Sequence, residues 1–341
     1  WGLFLAAGAV AGFALIAHEA RGAARRELLR DGLLGFGAAG LAYLPWVPTL
    51  IEQARHTGAP WSDRPPFDSN FDALGNVLGG TGPAMALLIA SIAGAGAMLA
   101  AERARRRRDA PPGPMTLSLL GIGTMTAVAL ALAWGASQAS PAWAPRYFAV
   151  LAGPLLLLLA AGLAYAGRLV VVVLVILAIF WIDPRTHQLQ TKSNAHTTAV
   201  LVRDRLEPGD LVVSTHPEHV PLMRLYLGPG LRWASSIGPV RDPRIMDWRD
   251  ALERLEAARP KATADGLVRS LRVTQHLLLV QPIIRSARWR APWTALVRRR
   301  AMQWERRLDR DPRLVRTLEA PHLNGRPPPR GVRAVLYERR R

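Results

Sequence analysis

Three stretches of the chain hold side chains that could do chemistry. In the first, Pro141-Ala142-Trp143-Ala144-Pro145-Arg146-Tyr147-Phe148 runs directly into an apolar segment. Arg146 therefore sits at the start of a predicted helix. A guanidinium beside the unpaired N–H groups of a helix N-terminus favours a phosphate. An arginine that snorkels to anchor a helix end at a membrane surface suits the same position. The residue types leave both readings open.

The second stretch is Tyr43 to Asp72, where Pro45 and Pro48 precede Gln53, Arg55, His56, Thr57, Trp61, Asp63, Arg64 and Asp68. Hydrogen-bonding and aromatic groups at this density suit a sugar or a lipid headgroup. His56 could act as a base, and Asp63 with Asp68 as a carboxylate pair; each is equally at home as an ordinary polar residue of a surface loop. The third stretch is His216-Pro217-Glu218-His219. It lacks a further ligand at a recognisable spacing, so no metal is expected. With no cysteine in the chain, neither a disulfide framework nor a thiolate metal site is possible.

The elements that must position these groups divide the chain in two. Residues 1–183 hold 13 Lys+Arg and 10 Asp+Glu, a net charge of +3, and residues 184–341 hold 31 and 15, a net of +16. An apolar half is followed by a polar, arginine-rich half. A bilayer core about 30 Å thick needs about 20 apolar residues of helix. Six stretches approach that length: 2–17, 32–51, 79–101, 115–136, 147–167 and 169–183. The last two are separated only by Arg168. Run together they would extend about 54 Å, so a hairpin at Gly167-Arg168 is expected.

Short loops rich in Lys/Arg stay cytoplasmic. Arg21, Arg25, Arg26 and Arg30, then Arg103 and Arg105 to Arg108, then Arg168 mark three such links. This pattern places loops 52–72 and 137–146, and everything after Pro184, outside the cell. Trp46, Trp61, Trp134, Trp143 and Trp181 fall near the same outer face, as interfacial tryptophans do. The expected fold is thus a polytopic α-helical membrane domain over 1–183, followed by a small extracytoplasmic α/β domain over 184–341.

In that second domain, strands are predicted at Leu211–Thr215, His276–Ile284, Leu314–Leu318 and Val332–Tyr337. Helices are predicted at Pro221–Leu227, Asp247–Ala258 and Ala291–Leu308. Their alternation predicts a mostly parallel sheet. Ser214-Thr215-His216-Pro217-Glu218 stands where a glycine-rich fingerprint would follow the first strand, so no dinucleotide cofactor is expected. The basic helix over 291–308 suggests nucleic acid, but an outer location makes DNA an unfit partner. Anionic membrane lipid fits better, at roughly 1 kcal/mol per juxtamembrane arginine. A plain solvated face is the competing reading.

The stretch Tyr43-Leu44-Pro45-Trp46-Val47-Pro48-Thr49-Leu50-Ile51-Glu52-Gln53, continued by His56-Thr57-Gly58 and Pro60-Trp61, resembles bacterial, actinobacterial-type GT-C membrane glycosyltransferases of the dolichyl-phosphate-mannose-protein mannosyltransferase family (family 39 type). Pro145-Arg146-Tyr147-Phe148 with Pro154 resembles a helix entry of that family. Gly209 to Ser214, Pro217-Glu218 and Val220-Pro221 resemble its outer domain.

The resemblance implies transfer of a mannose-like sugar from a polyprenyl-phosphate donor to a protein, glycan or lipid acceptor, with inversion at the sugar carbon and no cofactor. It implies Arg146 and Tyr147 as donor-binding residues and places Gln53, His56, Trp61, Asp63 and Arg64 in a substrate-binding loop. In the family the catalytic base is an acidic residue in the first outer loop. That loop has no counterpart in these residues, so the base is expected upstream of Trp1, where a cytoplasmic N-terminus would require an odd number of further spans before Trp1. A non-enzymatic sensor or accessory subunit with an outer ligand-binding domain is the alternative. Neither internal repeats nor an Asp, Glu or Lys inside a span speak for a transporter.

Overall fold

The computed structural model of the chain describes residues 1–107, 113–182, 193–284, 291–321 and 330–340. Expectations that fall on Arg108, on Asp183-Pro184 or on the side chain of Trp181 lie outside these described residues. The chain divides into two compact units, 1–51 with 64–184, and 52–63 with 185–341. Residues 52–63 thus group with the second unit.

The first unit is helical. It comprises α1 (Gly2–Glu19), α2 (Gly22–Tyr43), the start of α3 (Val47–His56), α4 (Ser69–Val77), α5 (Thr81–Arg106), α6 (Pro114–Ala139), α7 (Ala149–Tyr165) and α8 (Leu169–Ile182). Short 3₁₀ turns, Leu44–Trp46 and Pro145–Phe148, lead into α3 and α7. Among the described residues, five segments are long and apolar enough to cross a bilayer: Gly2–Glu19, Gly22–His56, Thr81–Arg105, Met115–Ala139 and Arg146–Tyr165. The sixth expected span is a shorter apolar helix, Leu169–Phe180. Its 14-residue helix rises only about 21 Å, short of the hydrocarbon core.

Apolar helices that share apolar surroundings gain little from burying side chains against one another. They associate through close backbone approach at small residues. A Cβ added to Gly94 of α5 would run into the carbonyl of Gly162 on α7. Gly8 and Gly12 of α1 lie in the same way against the carbonyls of Met125 and Gly121 on α6. By contrast α2 buries only Gly32, where Phe13 fills the space a side chain would take. Its Leu33, Leu34 and Leu41 are exposed. The turn predicted at Gly167-Arg168 is present, with Gly167 at φ +58° between α7 and α8.

The second unit is an α/β sandwich. Its elements are α9 (Ala195–Arg203), β1 (Leu211–Ser214), α10 (His219–Leu227), β2 (Arg232–Ser235), β3 (Gly238–Pro239), α11 (Ala251–Ala257), α12 (Pro260–Arg269), β4 (His276–Ile284), α13 (Pro292–Asp309), β5 (Leu314–Ala320) and β6 (Arg330–Arg339). The strand order is β3-β2-β1-β4-β6-β5. Alternate residues of each strand face opposite layers. Val212, Leu278, Val280 and Leu336 pack with Ala199, Val202 and Met223 of α9 and α10. Leu211, Val213, Leu277, Leu279 and Tyr337 pack with Val268, Trp304 and Leu308 of α12 and α13.

The expectation of a mostly parallel sheet is corrected. β1 pairs in parallel with β2 and β4, but β2–β3, β4–β6 and β5–β6 are antiparallel. Helices α10, α11 and α12 supply the crossovers that parallel neighbours need. After α13 the chain instead forms β5 and β6 in succession, and β6 returns beside β4 over nine residue pairs. Helices α9 and α12 and strands β2 and β3 are additions to the predicted elements. The predicted helix Asp247–Ala258 forms only over Ala251–Ala257, because Asp247 turns back onto Arg249 and Arg254.

Candidate functional site

In the first unit, Arg146 and Tyr147 lie in the 3₁₀ turn that opens α7. Pro145 at the first position of that turn fixes φ where no amide donor is needed. The Arg146 guanidinium is exposed. Its carbon lies 4.9 Å from the centre of the Tyr147 ring, and an Nη2 lies 3.4 Å from the Tyr147 hydroxyl. Aromatic rings gather around this turn. Trp1 lies 5.4 Å from Trp143, 6.0 Å from Tyr147 and 4.8 Å from Phe148, and Trp143 lies 4.7 Å from Phe148. Phe148 and Leu151 are buried beneath them against Ala73 and Ala129. The arrangement is a cation presented at the rim of an apolar, ring-lined floor. Arg64, at the start of the returning segment, is exposed in the same unit.

The remaining sequence candidates belong to the second unit. Gln53 is exposed, and its carbonyl accepts from the Thr57 amide and hydroxyl. His56 pairs through Nδ1 with Asp250 at 3.0 Å, and its other ring nitrogen lies 3.7 Å from Glu52. Asp63 is exposed. Trp61 packs against the buried cluster of Ala251, Leu255, Trp293, Leu296 and Val297. The Asp250 amide donates to the His56 carbonyl and the Trp293 amide to the Pro60 carbonyl. So the loop does not bring its polar groups to one point. His56 and Trp61 are used to fasten residues 56–61 to the sheet unit, whereas Gln53 and Asp63 face outward. The possible pair Asp63 and Asp68 falls in different units.

The segment is fastened at the carboxyl ends of the parallel strands. There β1 leads through α10 to β2 on one side, while β4 lies on the other. Such switch points are where open α/β sheets place ligands. His216 and His219 stack there with ring centres 4.4 Å apart and planes within 12°, and Trp293 meets His216 edge-on at 6.1 Å. His216 Nδ1, His219 Nδ1 and Trp293 Nε1 are buried without hydrogen-bond partners among the described residues. Burial, together with the neighbouring His219, holds the His216 imidazole well below the ordinary histidine range. Burial alone lowers His219 to about 4. Both rings are neutral at pH 7. His216 Nε2 lies 3.9 Å from Glu218. No group of three or more His, Cys, Asp or Glu residues among those described is placed to hold a metal ion.

Comparison with protein-family models, with curated proteins and with solved structures finds no match to this chain.

Proposed function

We propose that this chain is part of a membrane glycosyltransferase that takes a mannose-like sugar from a polyprenyl-phosphate donor on the outer face of the plasma membrane. The acceptor is a protein, glycan or lipid on that face, transfer inverts the sugar carbon, and the second unit is extracytoplasmic. The observation that carries the reading is Arg146, an exposed guanidinium at the entry to a long apolar helix, beside the rings of Trp1, Trp143, Tyr147 and Phe148. A polyprenyl-phosphate leaving group develops negative charge as the glycosidic bond breaks. A positioned guanidinium stabilises that charge, and removal of one such donor costs ~10²–10³ in rate. The aromatic floor suits the apolar chain or the sugar ring.

Arg146→Ala is expected to abolish sugar transfer to acceptor while membrane insertion and amount are unchanged. Arg146→Lys keeps the charge but loses the planar fork, and is expected to retain only part of the activity. Full activity in Arg146→Ala would remove the donor-phosphate role.

A second reading is favoured at the sheet's switch point by the neutral rings of His216 and His219, whose Nδ1 atoms, like Trp293 Nε1, are buried without a hydrogen-bond partner among the described residues. Under it the chain is a non-enzymatic sensor or accessory subunit whose outer domain binds a ligand there. His219→Phe would then abolish ligand response and leave any sugar transfer intact.

A further inference from the structure

The two sides of α13 are treated differently. Trp293, Leu296, Val297, Trp304 and Leu308 are buried on one side. Arg299, Arg306 and Arg310 are exposed on the other, at helical spacings that stack them along one face, and Met302 is 47% exposed among them. Two half-buried arginines of the same helix are satisfied. Arg307 meets Asp265 and Asp311, and Arg300 donates to the carbonyls of Leu255 and Glu256. The guanidinium groups of Arg299, Arg306 and Arg310 make no ion pair or hydrogen bond among the described residues.

Helix α12 lies beside α13, with Ala264 and Val268 in one cluster with Trp304 and Leu308. It adds Lys261 and Arg269, exposed and with side chains equally unpaired among the described residues. Asp309 is the exposed acid of the two helices, and it accepts from the Tyr337 hydroxyl. Glu253 and Glu256, exposed on α11, form no ion pair with these cations. Like charges stacked on a helix face repel, as Arg306 and Arg310 do. The helix C-terminus compensates that pair, but Arg299 lies in mid-helix, where no terminus helps it. The face therefore calls for anions from outside the fold.

A lipid headgroup layer supplies them. Each guanidinium matches a phosphate with two parallel hydrogen bonds. Met302 suits the apolar boundary beneath the headgroups. The same chain carries the five apolar segments able to cross a bilayer, so a membrane that takes them up is held near this face by the chain itself. A nucleic-acid backbone offers phosphates but neither the tether nor an apolar layer for Met302.

We propose that the outer face of α12 and α13 docks on an anionic bilayer surface, its five cations meeting lipid phosphates and Met302 entering the boundary beneath them. The docking is independent of the transferase reading and holds whichever side of the membrane the sheet unit occupies. The test uses the full chain with Gln303→Cys, a unique thiol on this face, in nanodiscs of phosphatidylcholine with or without phosphatidylglycerol. Its modification by an uncharged, polymer-linked maleimide is expected to be at least ~10-fold slower in the anionic discs, because each cation near such a surface is worth about 5-fold in binding. High salt is expected to remove the protection. Thr197→Cys, exposed on α9 in the helix layer across the sheet, is expected to react at one rate in both discs. Arg299→Gln, Arg306→Gln and Arg310→Gln together, added to Gln303→Cys, are expected to abolish the protection, and as surface changes they leave the fold intact. Equal rates in the two discs would mean a plain solvated face. Protection that survives the triple substitution, or that appears at Thr197→Cys instead, would mean a different contact. Duplex DNA that protects Gln303→Cys better than anionic lipid does would assign the face to nucleic acid. Each of these results overturns the proposal.

Discussion

Two histidines three residues apart illustrate what burial does to a titrating group. A neutral imidazole in an apolar layer is stable until the solution can protonate the unfolded chain more readily than the folded one. His219 titrates at about 4 when folded and near 6.5 when exposed, and His216 is also held well below its ordinary value. The unfolded state therefore binds more protons below about pH 6.5, and stability falls as pH drops from there towards 4. Each buried imidazole contributes up to about 1.4 kcal/mol per pH unit in that window. Urea unfolding followed by tryptophan fluorescence is expected to show the midpoint fall between pH 6.5 and 5. His219→Gln, which cannot titrate, flattens that slope. An identical slope in the variant would mean that burial of this ring is not what makes the protein acid-sensitive. The sequence drew attention to His216-Pro217-Glu218-His219 but for metal binding. Their stacking beneath Trp293 depends on a residue more than seventy positions away, which spacing alone does not reveal.

At the level of elements, local periodicity exposes strands and helices only where one segment carries its own signal. β4 is a run of leucine and valine buried on both faces, and its predicted limits match the structure. α9 and β2 are short, and their places are settled by distant partners. The clearest case is Asn194, which has no legible role in the sequence. Its amide nitrogen donates to the Val332 carbonyl at 2.8 Å and its oxygen accepts from the Val332 amide at 2.7 Å, so the residue before α9 completes β6 as a neighbouring strand would. Val332 is 1% exposed. Asn194→Ala leaves a buried N–H and C=O without their partner, at roughly 1–3 kcal/mol each. Thr198, whose hydroxyl lies 3.5 Å from the same carbonyl, offsets part of this. A loss of about 2–4 kcal/mol in the stability of the sheet unit is expected in urea unfolding. A loss below about 0.5 kcal/mol, typical of surface changes, would show that the bridge is not made in solution. The sheet's mixed direction was illegible for a related reason. Nothing in the residues of β5 and β6 distinguishes a crossover from a hairpin until β6 is paired with β4.

Across the whole molecule, charge does two different jobs. In the second unit much of the arginine excess is spent internally. Arg333 and Arg316 meet Glu305 and Glu319, Arg307 meets Asp265 and Asp311, and Arg300 donates to the last carbonyls of α11. Arg299, Arg306 and Arg310 remain exposed on or beside α13 as the groups that anionic lipid would meet. In the first unit the few charges instead alternate between loops, and that alternation is the sole basis for the proposed orientation. The absence of cysteine makes the orientation directly measurable, because any single introduced thiol is unique. Asp68→Cys, Ser140→Cys and Ser270→Cys occupy exposed positions on the sides assigned to the exterior; Glu27→Cys and Ala104→Cys occupy exposed positions on the links assigned to the cytoplasm. A membrane-impermeant maleimide added to intact cells is expected to label the first three, and to label the other two only after permeabilisation. Labelling of Glu27→Cys in intact cells with protection of Ser140→Cys would invert the orientation. Protection of Ser270→Cys alone would show that α8 does not cross, a specific risk for a helix of 14 residues. In that event the sheet unit is cytoplasmic, its exposed arginines face the inner leaflet, and the polyprenyl-phosphate reading loses its outer domain while Arg146 keeps its place at the entry to α7.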